Sequence, residues 1–220
     1  MPGPRAGNAV TVSPDDAYAY VTLSDGTLQI LDVEDKGSVK GSHTPTSTGG
    51  TTMCTSGVSF GLNPDISSRP FAVRAVVDYP PVGLPSSRVI ATYHPSGEPM
   101  WSATVTGEVV GTPQVGGNGK YVYLNRNVME SGYFTMLDVA NGGSIFFEEE
   151  SGATNANETA PYSPLALAID PVRGSFTGGN GNANDVAIWA WGTDEGRNGE
   201  GRLKAFQLPD NFAEDLMSDP

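Results

Sequence analysis

An all-β protein built from repeated antiparallel sheets is the fold class this sequence predicts, and three observations predict it. Of 220 residues, 28 are Gly and 17 are Pro, so about a fifth of the chain consists of the strongest breakers of regular structure. Apolar residues make up 38% and charged residues 17%, the balance of a chain that folds around a core rather than one that stays disordered. The third observation is a repeat about fifty residues long.

Four prolines mark the repeat: Pro14, Pro64, Pro113 and Pro164, separated by 50, 49 and 51 positions and each preceded by Ser, Asn or Thr. A strand-like run rich in β-branched or aromatic residues follows each one: 17–23, 71–77, 120–124 and 185–191. After a polar turn comes a second run with period-two alternation: 27–32, 88–93, 133–138 and 202–208. The clearest hairpin joins Tyr18–Leu23 to the run starting at Thr27, because Asp25-Gly26 supplies the positive φ that a tight turn demands. Between copies, 42–56, 151–159 and 177–184 are too rich in Thr, Ser, Gly and Asn to be core and read as loops. Three or four short strands per unit of this length, repeated, is the pattern of β-propeller blades. A sandwich of hairpins is the competing architecture. The approximate repeats are 8–53, 54–101, 102–147 and 148–212, with an acidic tail at 213–220.

Twelve basic residues against twenty-five acidic ones give a formal charge of −13, which removes the electrostatic footprint of a nucleic-acid binder. Scattered acids of this kind read as a solvated surface and do not by themselves imply a cationic ligand. Cys54 is the only cysteine, so an intrachain disulfide and a Cys-based zinc site are both excluded. No run reaches the ~18 apolar residues of a membrane-spanning helix. Met1–Arg5 carries no apolar segment of the signal-peptide kind.

A second pattern sits inside the repeat. Ala91, Ser96, Gly97, Glu98 and Trp101 stand at the places of Ala-x-Asp-x-x-Thr-Gly-Lys/Glu-x-x-Trp, with Tyr93 replacing the Asp. Asp138, Asn141, Gly142 and Phe146 repeat the spacing in the next copy. This resembles the tryptophan-docking motif of pyrroloquinoline-quinone-like (PQQ-like) β-propellers, and the segment from Val12 through Asp32 looks like a YVTN-type repeat. The resemblance implies a structural motif at Ala91, Gly97, Trp101, Asp138, Gly142 and Phe146, whose glycines reverse the chain and whose aromatic rings fill the gap between blades. The motif is not recognisable in the first and fourth copies. Propellers of this family carry seven or eight blades, so about four blades imply an arc of a larger ring, completed by further blades of a parent chain or by a second copy. The family also favours an extracytoplasmic or secreted location.

Quinoprotein members of the family hold PQQ and Ca²⁺ in the central funnel. Many alcohol-oxidising ones add a vicinal disulfide that a single Cys54 cannot form. Asp138, Asp170 and Asp185 are carboxylates on or beside strands, where turn and strand-end roles are the rule. Gly57-Val58-Ser59-Phe60-Gly61 matches Gly-x-Ser-x-Gly, yet a turn, Leu62-Asn63-Pro64-Asp65, follows it where a nucleophile elbow needs a helix. His43 and His94, the two histidines, lie in a polar loop and in the docking turn. The run 180–185 lacks the Gly and Glu of a calcium loop, and 116–120 lacks the first Gly and the Ser/Thr of a phosphate loop and reads as a hairpin turn. Trp189 and Trp191 share one side of a strand, fit for blade packing or for stacking on a sugar. Asn157-Glu158-Thr159 fits a glycosylation acceptor.

The expected function is a non-catalytic propeller module that needs no cofactor and binds a protein or small-molecule ligand at its loops. The alternative is a fragment of a PQQ-dependent alcohol or sugar dehydrogenase, with no catalytic or metal-ligating residue assigned.

Overall fold

Every regular element among the described residues is a strand, as the breaker content demands. The computed structural model describes residues 6–46, 49–54, 56–63, 66–116, 119–129, 131–150, 168–169, 185–193 and 200–208, with side chains from 9 to 148. Among the described residues sixteen strands form four antiparallel sheets in chain order. The first is the meander β1 (Ala6–Val12), β2 (Tyr18–Leu23), β3 (Leu28–Asp32), β4 (Ser38–His43). The second contains β5 (Thr51–Cys54), β6 (Ser59–Gly61), β7 (Phe71–Tyr79), β8 (Ser86–Tyr93) and β9 (Pro99–Thr106). The third is β10 (Glu108–Val115), β11 (Tyr121–Val128), β12 (Ser131–Asp138), β13 (Ser144–Glu150). The fourth pairs β14 (Ala168–Ile169), β15 (Asp185–Thr193) and β16 (Glu200–Leu208). The expected paired runs are thus hairpins: β2–β3, β7–β8, β11–β12 and β15–β16.

Sheets pack face to face because each strand of the second alternates its two faces between two neighbours. Phe71, Val73 and Ala75 of β7, with Val89, Ala91 and Val105, bury themselves against Val122, Leu124 and Leu137 of the third sheet. Ala72, one residue out of phase, belongs with Tyr20, Leu28 and Ile30 of the first. The result is a stack of three sheets with two cores, the geometry of neighbouring propeller blades.

Two details correct the reading of the repeat. Pro14 lies in the β1–β2 turn, whereas Pro113 stands inside β10, where the register shifts between Val110 and Gln114. A proline is tolerated there because a bulge on an edge strand asks for no ladder bond. The β10–β11 turn repeats the β1–β2 turn at a different phase: Ser13 N donates to Tyr18 O and Gly116 N to Tyr121 O, at 2.8 and 2.9 Å. Asp16 (φ 59°) and Gly119 (φ 66°) take the same left-handed place. The two turns thus share one geometry, in which Pro14 and Pro113 stand at different places.

The second correction concerns 42–56, which holds the end of β4 and all of β5. β5 and β6 both pair with the same side of β7, and between them the register passes from Cys54 opposite Val76 to Ser59 opposite Val73. Ser56 mends the break, because its Oγ accepts from Ala75 N at 2.8 Å and donates to Ala75 O at 3.2 Å. The freed N–H groups of Gly57 and Val58 find threonine hydroxyls of the two flanking sheets, Thr112 at 2.9 Å and Thr11 at 3.3 Å. Small polar residues thus cross-link three innermost strands. A strand whose partners are hydroxyls carries no apolar alternation, which is why it reads as a loop.

Candidate functional site

The Gly-x-Ser-x-Gly segment does not form a nucleophile elbow. Ser59 opens β6, its Oγ is buried without a hydrogen-bond partner, and no helix follows among the described residues. The neighbouring residue, Phe60, points to a different place. Its ring meets Tyr20 edge-on at 4.8 Å and His94 at 6.1 Å. His94 leaves the β8–β9 turn on a cis His94–Pro95 peptide.

Both ring nitrogens of His94 are engaged. Nδ1 lies 2.6 Å from the Tyr20 hydroxyl and Nε2 lies 3.3 Å from Asp15 Oδ2. Tyr20 is fully buried, and burial pushes its phenol above the ordinary value, with the Asp15 charge adding to the effect. The phenol therefore keeps its proton and donates it to Nδ1, which leaves the proton of the neutral ring on Nε2, directed at Asp15. Asp15 is held below the usual carboxylate range, first by the Ser13 hydroxyl and then by Ala17 N–H and His94. The order of donation, Tyr20 to His94 to Asp15, spends both imidazole nitrogens. Because Tyr20 is wholly buried and keeps its proton, the trio orients the Asp15 carboxylate at the surface.

Asp15, Phe60 and His94 line a cleft of about 510 Å³ where the first three sheets meet, closed on the other sides by Leu62, Gln114 and Val115. Its wall is mostly apolar, with one carboxylate at the rim whose side chain is 52% exposed. Ligand sites commonly combine an apolar cleft with a few convergent polar groups in this way.

The docking residues lie elsewhere. Ala91 on β8 is opposite Trp101 on β9. The Trp101 ring lies against Gly143, 2.6 Å from where a β-carbon would stand. Gly97 (φ 73°) and Gly142 (φ 68°) turn the chain, and Asp138 Oδ1 accepts from Ala140 N at 2.8 Å within its turn. Phe146 packs on Tyr121 at 5.0 Å and sits at a register shift, so Phe147, opposite Met136, holds the ladder place that Trp101 holds in its own sheet.

The first sheet carries a matching turn that the motif does not show. In Asp32–Ser38, Gly37 N donates to Asp32 O at 2.8 Å, as Gly143 N does to Asp138 O. Lys36 (φ 52°) and Gly37 (φ 82°) match Gly142 and Gly143 (φ 78°). Gly41, opposite Ile30, replaces the aromatic, and its backbone meets the backbone of Ser96 directly. The shared Asp-Val-x-Asp/Asn-x-Gly-Ser string is the signal that finds this turn.

His43 closes β4 rather than lying in a loop, 2.9 Å from the buried Arg74. Asp185 begins β15, where Trp189 and Trp191 also lie, opposite Lys204 and Arg202. Asp170, the glycosylation pattern at 157–159 and the stretches 151–159, 177–184 and 213–220 lie outside the described residues. Among the described residues no three His, Cys, Asp or Glu side chains gather.

Neither a protein-family profile nor a curated protein matches the sequence. Solved structures do. The β-propeller domain of Cps50 (Swd1) from Myceliophteria thermophila aligns over 94% of this chain and 54% of its own, at 15% identity and a TM-score of 0.53. The fold is a β-propeller. Dihydro-heme d1 dehydrogenase NirN in complex with DHE aligns over 95% of this chain and 39% of its own, at 9% identity and a TM-score of 0.53. BamB from Moraxella catarrhalis covers 94% and 46%, at 15% identity and a TM-score of 0.48. The chain thus spans about half the length of the propellers it matches, and identities this low speak for the fold alone.

Proposed function

We propose that the chain is a non-catalytic, PQQ-like β-propeller module that needs no cofactor and binds a protein ligand in the cleft between its first three sheets. The cleft carries this reading, because it joins an apolar wall to a carboxylate that is fixed and exposed at the rim. His94 contributes as a positioning residue, held between the Tyr20 hydroxyl and the Asp15 carboxylate. In this reading Trp101 holds the second and third sheets together and takes no part in chemistry.

The charge at the rim selects the ligand class. Among the described lining residues Asp15 is the one with a formal negative charge, in a molecule of formal charge −13, so a basic side chain flanked by apolar ones matches both the rim and the wall. The test is a titration of a fluorescein-labelled nonapeptide that alternates arginine and leucine. Saturable binding that weakens about tenfold in Asp15→Asn, a 1.4 kcal/mol loss, and again in Phe60→Ala supports the reading. Binding equal in all three proteins means attraction to the acidic surface at large and overturns it.

A further inference from the structure

Among the described residues the largest fully buried side chain belongs to a cation, Arg74, which is 1% exposed. It stands on β7 in phase with Ala72, on the face turned to the first sheet. Its Nη2 reaches across to Gly26 O at 3.3 Å, His43 O at 3.2 Å and His43 Nδ1 at 2.9 Å. Nε and Nη1 are enclosed as well, and neither has a hydrogen-bond partner. Burial lowers the guanidinium pKa to about 10, which leaves the side chain charged at neutral pH.

Among the described residues no carboxylate pairs with it. Asp78 is the acid on the same face of β7, and Arg88 holds both of its oxygens, with the Thr52 hydroxyl donating to Oδ1 at 2.5 Å. Cys54, opposite Val76 and therefore diagonal to Arg74, uses its Sγ as a donor to Ser56 O at 3.3 Å. Arg74, Arg88 and Asp78 together leave one positive charge inside the molecule. His43 registers it: after burial, the charges of Arg74 and then Arg88 hold its imidazole below the ordinary value. A buried charge without a partner is costly, and N–H groups on it that meet no acceptor add to the cost.

We propose that Arg74 holds a small monovalent anion of the halide class between the first and second sheets, at an N–H group that no protein acceptor meets. The net charge of the cluster sets the count at one ion with one negative charge, and enclosure sets its kind. An ion entering such a place gives up its water at a cost that rises steeply with its charge, so chloride fits where sulfate and phosphate do not. The site is separate from the cleft, whose lining does not include Arg74. Its effect falls on the cohesion of the first two sheets, because the same guanidinium bonds Gly26 and His43 of the first.

Thermal unfolding of the full chain in sodium chloride against sodium gluconate, both at about 0.15 M, tests the proposal, since gluconate is too large to enter an enclosed site. Chloride is expected to raise the midpoint by about 2–4 °C and to do so saturably, because the ion binds the folded chain and is released on unfolding. Arg74→Met, which keeps an unbranched apolar stem, is expected to lose the difference between the two salts. Crystals of the wild type grown in sodium bromide give a reading that does not depend on the variant folding: an anomalous peak is expected beside Arg74 Nε or Nη1. Equal wild-type midpoints in the two salts overturn the proposal. So does a chloride effect that Arg74→Met retains, which belongs to the surface, or bromide found only away from Arg74.

Discussion

The Trp101 ring and Gly143 touch across two sheets so closely that a β-carbon on the glycine would lie 2.6 Å from the indole. Gly37 has the same backbone and no neighbour. The pair separates two costs that a glycine substitution usually mixes. Gly37→Ala is expected to lose about 1 kcal/mol from the left-handed conformation alone. Gly143→Ala adds the clash and is expected to lose about 3 kcal/mol, read from urea unfolding of both variants. Equal losses would mean that the ring does not rest on Gly143.

Trp101→Ala follows from the same contact. The side chain is partly buried and packs on the core shared by the second and third sheets. A loss of about 3 kcal/mol, at the low end for a core aromatic, is expected in the same assay. A loss under ~1 kcal/mol would show that the docking motif is coincidental.

The ion pair of Asp78 and Arg88 is nearly enclosed, with side chains 4 and 12% exposed and contacts of 2.5 and 2.8 Å. Removing one partner leaves the other charge buried, so Asp78→Ala is expected to cost about 3–5 kcal/mol. Asp78→Leu/Arg88→Leu is expected to cost less than either single change, because no charge is stranded. A double variant worse than the singles would contradict this.

Low pH acts through His43. Partial burial, and then the positive charge of Arg74, hold its imidazole below 6.5. Between that lowered value and 6.5 the unfolded chain binds more protons than the folded one, so stability is full above about pH 6.5 and falls as the pH drops below it. Thermal unfolding of His43→Gln from pH 7.5 to 5 is expected to show a shallower decline than wild type. Parallel curves would remove His43 from the account.

Tyr20→Phe takes away the hydroxyl that donates to His94 Nδ1 in a largely buried setting, and about 1–3 kcal/mol of stability is expected to go with it. The cleft should feel the change too, since the ring that holds Asp15 is freed. A variant with wild-type stability and wild-type peptide affinity would contradict the hydrogen-bond order.

The strands were legible because each hairpin is local: the runs at Tyr18–Leu23 and Phe71–Val77 alternate or cluster apolar residues over a few positions. The innermost strand through Thr51–Cys54 was not, since its partners are backbone and hydroxyl groups rather than an apolar face. The turn at Asp32–Ser38 hid behind Lys36, a non-glycine residue in a left-handed position. The cleft was least legible of all. His94 meets Tyr20 and Asp15 from 74 and 79 positions away, and only the stacking of sheets brings them together.

The most direct test of the binding account is amide chemical-shift mapping with the arginine–leucine nonapeptide. The account predicts perturbations centred on 14–15, 60–62, 94 and 114–116, the rim and walls of the cleft. Perturbations spread over the acidic surface, with the cleft residues unmoved, would contradict it.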